Sequence, residues 1–252
     1  MSPAPYLDPL LDLITVGNPD LVTASLKNYD ARWEYYFSPS ESFSLAGFYK
    51  DIANPIEKTL SAGGSGQIIT LQNALGATLY GAEVDYYQSL GWVRNHDWLN
   101  WLEDLDVGFI GPFDWDSFFI AFNFAWIKSN VEIDTSLTTQ TNPDRPLQGQ
   151  SPWVVNLQFG YSPPEGNTEW TLLFNAFGER ISQAGVLGQP DIYEQPVPQL
   201  NFVYKRSFAE HWLLTAKFKN LLNPDVEYTQ GKETTRIFKP GREFSLELKW
   251  TY

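Results

Sequence analysis

The chain has 252 residues, no cysteine and a formal net charge of −13. The charge argues against a nucleic-acid binder, which needs a basic surface, and the missing thiols exclude disulfide staples, thiolate metal sites and cysteine nucleophiles. Aromatic residues make up 16 % of the sequence, as 10 Trp, 13 Tyr and 17 Phe, and Trp and Tyr favour surfaces where one end of the ring is apolar and the other wet.

The first residues, Met1-Ser-Pro-Ala-Pro-Tyr6, carry neither a basic nor an apolar segment. The expectation is that an export signal has been removed, or that this is the C-terminal part of a longer protein. Strands are then predicted near 30–38, 42–51, 67–90, 116–131, 151–162, 167–180, 197–207, 211–221 and 242–252. The run 67–90 reads either as one strand or as a hairpin turning at Leu75-Gly76, which sets the count at nine or ten. Apolar and polar residues alternate in several of them. Trp153, Val155, Leu157, Phe159 and Tyr161 interleave with Val154, Asn156, Gln158 and Gly160. Phe118, Ile120, Phe122, Phe124 and Trp126 interleave with Phe119, Ala121, Asn123, Ala125 and Ile127. A period of two gives a strand with one oily and one wet face.

The connections have their own rhythm. Ser38-Pro-Ser-Glu41, Ser162-Pro-Pro-Glu-Gly166 and Ser207-Phe-Ala-Glu210 are tight turns, while 52–66, 132–150, 181–196 and 222–241 are long. Alternate connections of an antiparallel meander lie at the same end, and outer-membrane barrels have short turns at one end and long loops at the other. The pattern fits if 67–90 is a single strand. Residues 91–115 break it, being long where a short turn is due. Within them Asp97-Trp-Leu-Asn-Trp-Leu-Glu103 would form an amphipathic helical turn at a membrane interface, or an ordinary insertion. No apolar stretch is long enough for a transmembrane helix.

The last strand is the cleanest. Phe244, Leu246, Leu248, Trp250 and Tyr252 alternate with polar residues up to the final aromatic. Such a strand is expected to serve as the assembly signal of an outer-membrane barrel. Lys217, Lys219, Glu247 and Lys249 fall on the opposite face and are the candidates for facing a water-filled lumen. A strand of about ten residues, tilted by about 40°, spans roughly 25 Å, the height of the apolar band of such barrels.

No nucleophile–base pair or metal constellation is visible, so no catalytic, cofactor or metal site is expected. The acidic runs do not have the spacing of a calcium loop. Asp144-Arg145 and Glu179-Arg180 read as loop or rim ion pairs. His96 and His211 read as interfacial residues beside Trp.

Seven stretches carry a resemblance. They are Gly17-Asn-Pro-Asp-Leu21, Asn28-Tyr-Asp30, Phe48-Tyr-Lys-Asp-Ile-Ala-Asn-Pro-Ile-Glu57, Leu79-Tyr-Gly-Ala-Glu-Val-Asp85, Asp144-Arg-Pro-Leu-Gln-Gly-Gln-Ser-Pro-Trp-Val-Val-Asn156, Lys219-Asn-Leu-Leu-Asn223 and Lys239-Pro-Gly-Arg-Glu-Phe244. In this order the chain resembles the C-terminal part of the β-barrel of a TonB-dependent outer-membrane receptor. The resemblance implies an all-β antiparallel meander, part of a barrel of about 22 strands with a plugged lumen, in the outer membrane of a Gram-negative bacterium. It implies that residues 1–252 lack the plug domain and the N-terminal strands. The implied partners are outer-membrane lipid, the barrel assembly machinery, the missing barrel and plug of the same receptor, and TonB acting through that plug. The implied function is energised uptake of a nutrient such as a metal chelate, glycan or peptide. Two other readings stay open from the residues alone: a self-contained small barrel acting as pore or adhesin, and a soluble β-sandwich binding module. Gly81, inside a strand, leaves room for a neighbouring bulky side chain or for a plug.

Overall fold

The computed structural model describes residues 6–8, 13–39, 41–63, 66–96, 101, 106–107, 111–112, 114–134, 141–164, 166–209 and 211–250. Nine long strands form its wall: β1 (Ser25–Ser38), β2 (Glu41–Ala53), β3 (Gly76–Ser89), β4 (Phe118–Glu132), β5 (Trp153–Tyr161), β6 (Thr168–Phe177), β7 (Gln199–Phe208), β8 (Trp212–Lys219) and β9 (Glu243–Trp250). Each pairs antiparallel with the next in chain order, and the two-residue strand Asp144–Arg145 adds to the end of β4. Among the described residues β1 and β9 are edges, so the wall is an open sheet.

The register turns the sequence alternation into two faces. One row of direct partners reads Tyr35, Phe43, Tyr86, Phe122, Leu157, Phe174 and Leu200 from β1 to β7. The adjacent row reads Glu34, Ser44, Asp85, Asn123, Asn156, Asn175 and Gln199. Successive residues on a strand point to opposite faces, so the wall is apolar on one side and polar on the other. On the apolar side a chain of rings, Phe118, Phe159, Trp170, Phe202, Phe218 and Phe244, steps from β4 to β9 with centroids 4.9–6.1 Å apart. Offset and edge-on ring contacts of this kind add to area burial.

Glycines in the wall make space for rings on the polar side. Gly81 lies opposite Phe48 and Gly160 opposite Phe119. A Cβ at Gly81 would stand 2.6 Å from the Phe48 ring, and one at Gly160 2.5 Å from the Phe119 ring. The bulky neighbour expected at Gly81 is therefore Phe48.

The long connections are continuations of the wall hairpins. Strands 56–63 and 66–73 extend β2 and β3 in unbroken register, from Ala53↔Gly76 to Ile56↔Asn73. The run 67–90 is thus two strands, but only Gly76–Ser89 belongs to the wall. At the joint Asn54 takes φ of 54°, and Pro55 follows. Asn tolerates this left-handed backbone better than most residues. The joint inverts the alternation: Pro55, Glu57 and Thr59 are buried, while Ile56 and Lys58 are exposed. Strand Leu13–Val16 lies parallel to 66–73. A second outer sheet, Arg180–Gln183, Ile192–Glu194, Val226–Gln230 and Glu233–Phe238, continues the β6–β7 and β8–β9 hairpins.

A one-layer wall has no interior, and burial is greatest where the outer elements fold over its end. The largest fully buried side chains among the described residues are Arg145, Ile181 and Val131. Val131 packs with Ala74 and Ala77, and Ile52, Ile133 and Leu147 close around them. At the opposite end the connections Ser38–Glu41, 162–167 and 209–211 are short. The β3–β4 connection is the long one. It contains single helical turns at Gly91–Asn95 and Trp115–Ser117, tied by Arg94, which bonds Asp114 and Asp116 at 2.6 Å each. Most of 97–103 lies outside the described residues.

Candidate functional site

The polar face carries a hydrogen-bonded track that crosses six strands. Asn175 on β6 donates from Nδ2 to Asn156 Oδ1 on β5 at 2.7 Å, and Asn156 donates to Asn123 Oδ1 on β4 at 2.9 Å. Asn123 Nδ2 donates to Asp85 Oδ1 at 2.7 Å and Glu83 Oε1 at 2.6 Å, both on β3. Ser44 Oγ on β2 donates to Asp85 Oδ2 at 3.0 Å. Arg32 on β1 reaches over β2 to Asp85 at 3.2 Å and bonds Glu34 at 2.6 Å. Its direct neighbour on β2 is Ala46, small enough to be spanned.

The track has a direction. Every amide donates toward β3, as a relay from Asn175 to Asn156 to Asn123, and Asn123 alone delivers its N–H groups to carboxylates, those of Glu83 and Asp85. Hydrogen bonds to charged acceptors are the stronger kind, and linked bonds polarise one another. The row can hold polar groups along its length, with negative charge concentrated at the β1–β3 end. Glu34, Glu83 and Asp85 stand there with one arginine. No group of three or more His, Cys, Asp or Glu suited to a metal occurs among the described residues.

Lys217, Lys219, Glu247 and Lys249 share this polar face by register. Thr215 opposes Glu247, Leu213 opposes Lys249, and Lys219 bonds Glu243 at 2.8 Å. They lie on β8 and β9, away from the track on β1–β6. Phe244, Leu246, Leu248 and Trp250 lie on the apolar face, against Phe218, Ala216, Leu214 and Trp212. Tyr252 lies outside the described residues. His96 and His211 contact Trp92 and Trp250 edge-on.

Two sequence readings need correction or addition. Arg145 is not a rim residue: its side chain is 0 % exposed and bonds Glu57 Oε2 at 2.6 Å. Arg180 bonds Glu194 at 2.7 Å and covers the Phe177 ring at 4.2 Å, and Glu179 accepts from Gln195 at 2.6 Å. The Asn123–Asn156–Asn175 track was not singled out by sequence reasoning. Its signal is an Asn on the wet face of each of three successive strands, which becomes a row only once the registers are known.

A family model described as "TonB dependent receptor-like, beta-barrel" matches residues 4–221. No curated protein matches the sequence. Among solved structures the copper transporter OprC is similar, with a TM-score of 0.62 at 14 % identity over 94 % of this chain and 34 % of that one. A mutant of the ferric enterobactin receptor PfeA from Pseudomonas aeruginosa, in complex with enterobactin, gives 0.59 at 15 % identity, covering 94 % of this chain and 33 % of its own. The siderophore receptor PirA from Acinetobacter baumannii gives 0.57 at 13 % identity, over 95 % and 33 %. The chain spans about a third of the length of these structures.

Proposed function

From the premise that the chain belongs to the TonB-dependent receptor β-barrel family of the Gram-negative outer membrane, we propose that it forms part of the wall of a nutrient receptor energised by TonB. Members of the family are transporters and not enzymes. The observation that carries the reading is the two-faced meander: a continuous apolar row and a continuous polar row one residue apart across seven strands. Hydrocarbon accepts the first, because the backbone groups inside the wall are paired strand to strand. A wet interior accepts the second.

On this reading the apolar face meets lipid and the polar face lines the lumen, with Lys217, Lys219, Glu247 and Lys249 on its inner wall. Phe244, Leu246, Leu248, Trp250 and Tyr252 present the strand that the assembly machinery reads. The remaining barrel strands and a plug come from the rest of the receptor, and TonB acts through that plug. The outer hairpins capture the ligand. The similar structures are a copper transporter and receptors for siderophores, so a metal ion or metal chelate is the ligand class to test first.

The test is uptake in the host of this chain. Deleting the gene should abolish growth on a ferric siderophore under iron limitation, or on trace copper under copper limitation. Deleting TonB should have the same effect. Uptake that survives loss of TonB would reduce the protein to a passive pore.

A further inference from the structure

Residues 141–150 cross between two outer hairpins, and the transport reading gives them no role. From the end of β4 the segment pairs back through Asp144–Arg145, and Leu147 N donates to Ser129 Oγ at 3.0 Å. Toward the hairpin that extends β2 and β3, Arg145 bonds Glu57 at 2.6 Å, with the two side chains 0 % and 5 % exposed. The backbone N–H of Gln148 donates to the same carboxylate at 3.4 Å. The Gln148 amide group then makes both backbone bonds of Lys58, at 2.8 and 3.2 Å. Toward the β6–β7 extension, Gly149 N donates to Ile181 O at 2.8 Å, and Thr141 N to Gly185 O at 2.9 Å. Asn142 Nδ2 donates to Asp191 Oδ2 at 3.2 Å.

We propose that residues 141–150 are a strap that makes the 54–75 and 178–198 hairpins one mechanical unit, with Arg145–Glu57 as its latch. A buried ion pair is a poor choice for stability alone, since well-packed apolar residues do as well. It does fix one arrangement. The planar guanidinium fork accepts a carboxylate in few geometries, and a strap that slips or lifts leaves two buried charges without each other. The latch also depends on the joint below it. Glu57 points inward because Asn54, at φ 54°, inverts the alternation of its strand. The coupling therefore runs from the end of the wall, through the joint, to the strap and on to the second hairpin. A ligand touching either hairpin would displace both.

Hydrogen exchange in the full-length receptor tests the strap without reference to ligand or energy source. Arg145→Met should speed exchange roughly tenfold in both 56–73 and 180–194, with β5 and residues 118–126 of β4, which the strap does not touch, unchanged. Faster exchange in one hairpin alone, or in neither, overturns the strap. Should Arg145→Met fail to assemble, Gln148→Ala answers the same question, because it removes the bonds to Lys58 and leaves no buried charge unpaired. Loosening of both hairpins by Gln148→Ala supports the coupling. Loosening confined to 56–63 overturns it.

Discussion

Leu157 and Gln158 are neighbours on β5 with opposite fates. Leu157 stands between Phe122 and Phe174 on the apolar face, and Gln158 between Ala121 and Leu173 on the polar face. Leu157→Arg is expected to cost about 2–4 kcal/mol if its face meets mid-bilayer lipid, and Gln158→Arg to cost little. Denaturant titration of the receptor folded into lipid vesicles measures both, and equal costs would refute the assignment of faces. Tyr193, in the outer sheet, sets a pH limit. Burial, then the Asp191 and Glu179 carboxylates, push its phenol above the ordinary value, and Arg145 offsets part of the rise. A group whose folded pKa is raised stabilises fully below its unfolded pKa, here about 10, and that contribution is lost as pH rises through the folded value. Ultraviolet titration should show a late-ionising tyrosine that disappears in Tyr193→Phe. An unchanged high-pH limb in the variant would remove Tyr193 from this role. Pair geometry of this kind was legible only in part: the alternation at 153–161 marks the two faces, but nothing local marks Phe48 as the ring that covers Gly81.

At the level of elements, the motifs that look like punctuation turn out to be joints. Asn220 and Asn223, at φ 54° and 48°, end β8, and Gly241, at φ 87°, precedes β9. Asn220 Nδ2 donates to Gly241 O at 2.6 Å, and Gly241 N donates to Asn223 Oδ1 at 3.0 Å. Arg242 Nε donates to Leu221 O at 2.9 Å. The Lys219-Asn-Leu-Leu-Asn223 and Lys239-Pro-Gly-Arg-Glu-Phe244 stretches thus clasp each other across the base of the β8–β9 extension. Asn223→Ala loses a hydrogen bond and puts an unsuited residue in left-handed backbone, at a cost of about 2 kcal/mol. Proteolysis at the outer hairpin of residues 226–238 should rise with it, and an unchanged cleavage rate would mean that the clasp does not hold the extension. The reading of 67–90 as one strand or two had to stay open for a similar reason. The same register runs through both halves, and only the joint at Asn54 and Pro55 separates wall from extension.

For the whole molecule, the open sheet is the main physical fact. Among the described residues, β1 and β9 pair on one side only, and unpaired backbone groups in hydrocarbon cost several kcal/mol each. The isolated 252-residue chain is therefore expected not to form a closed, heat-modifiable barrel in lipid vesicles. On the proposed reading, supplying the remaining strands of a receptor barrel should let it do so. A gel-shift assay on heated and unheated samples decides, and a heat-modifiable species from the isolated chain would point to closure by copies of itself.

The strands of the wall, its two faces, the alternation of short and long connections and the family were written in the sequence, while the strands inside the long connections were not. Period-two alternation, turn residues and motif order are local or linear signals. The polar track on Asn123, Asn156 and Asn175, the extension of wall hairpins into an outer tier and the Arg145–Glu57 latch were settled by tertiary structure. Each depends on which residue of one strand stands opposite which residue of another, or on one left-handed joint that reverses a face. Glu57 and Arg145 lie 88 positions apart in the chain. Their meeting follows from register and from the turn at Asn54, and neither is expressed by the residues around them.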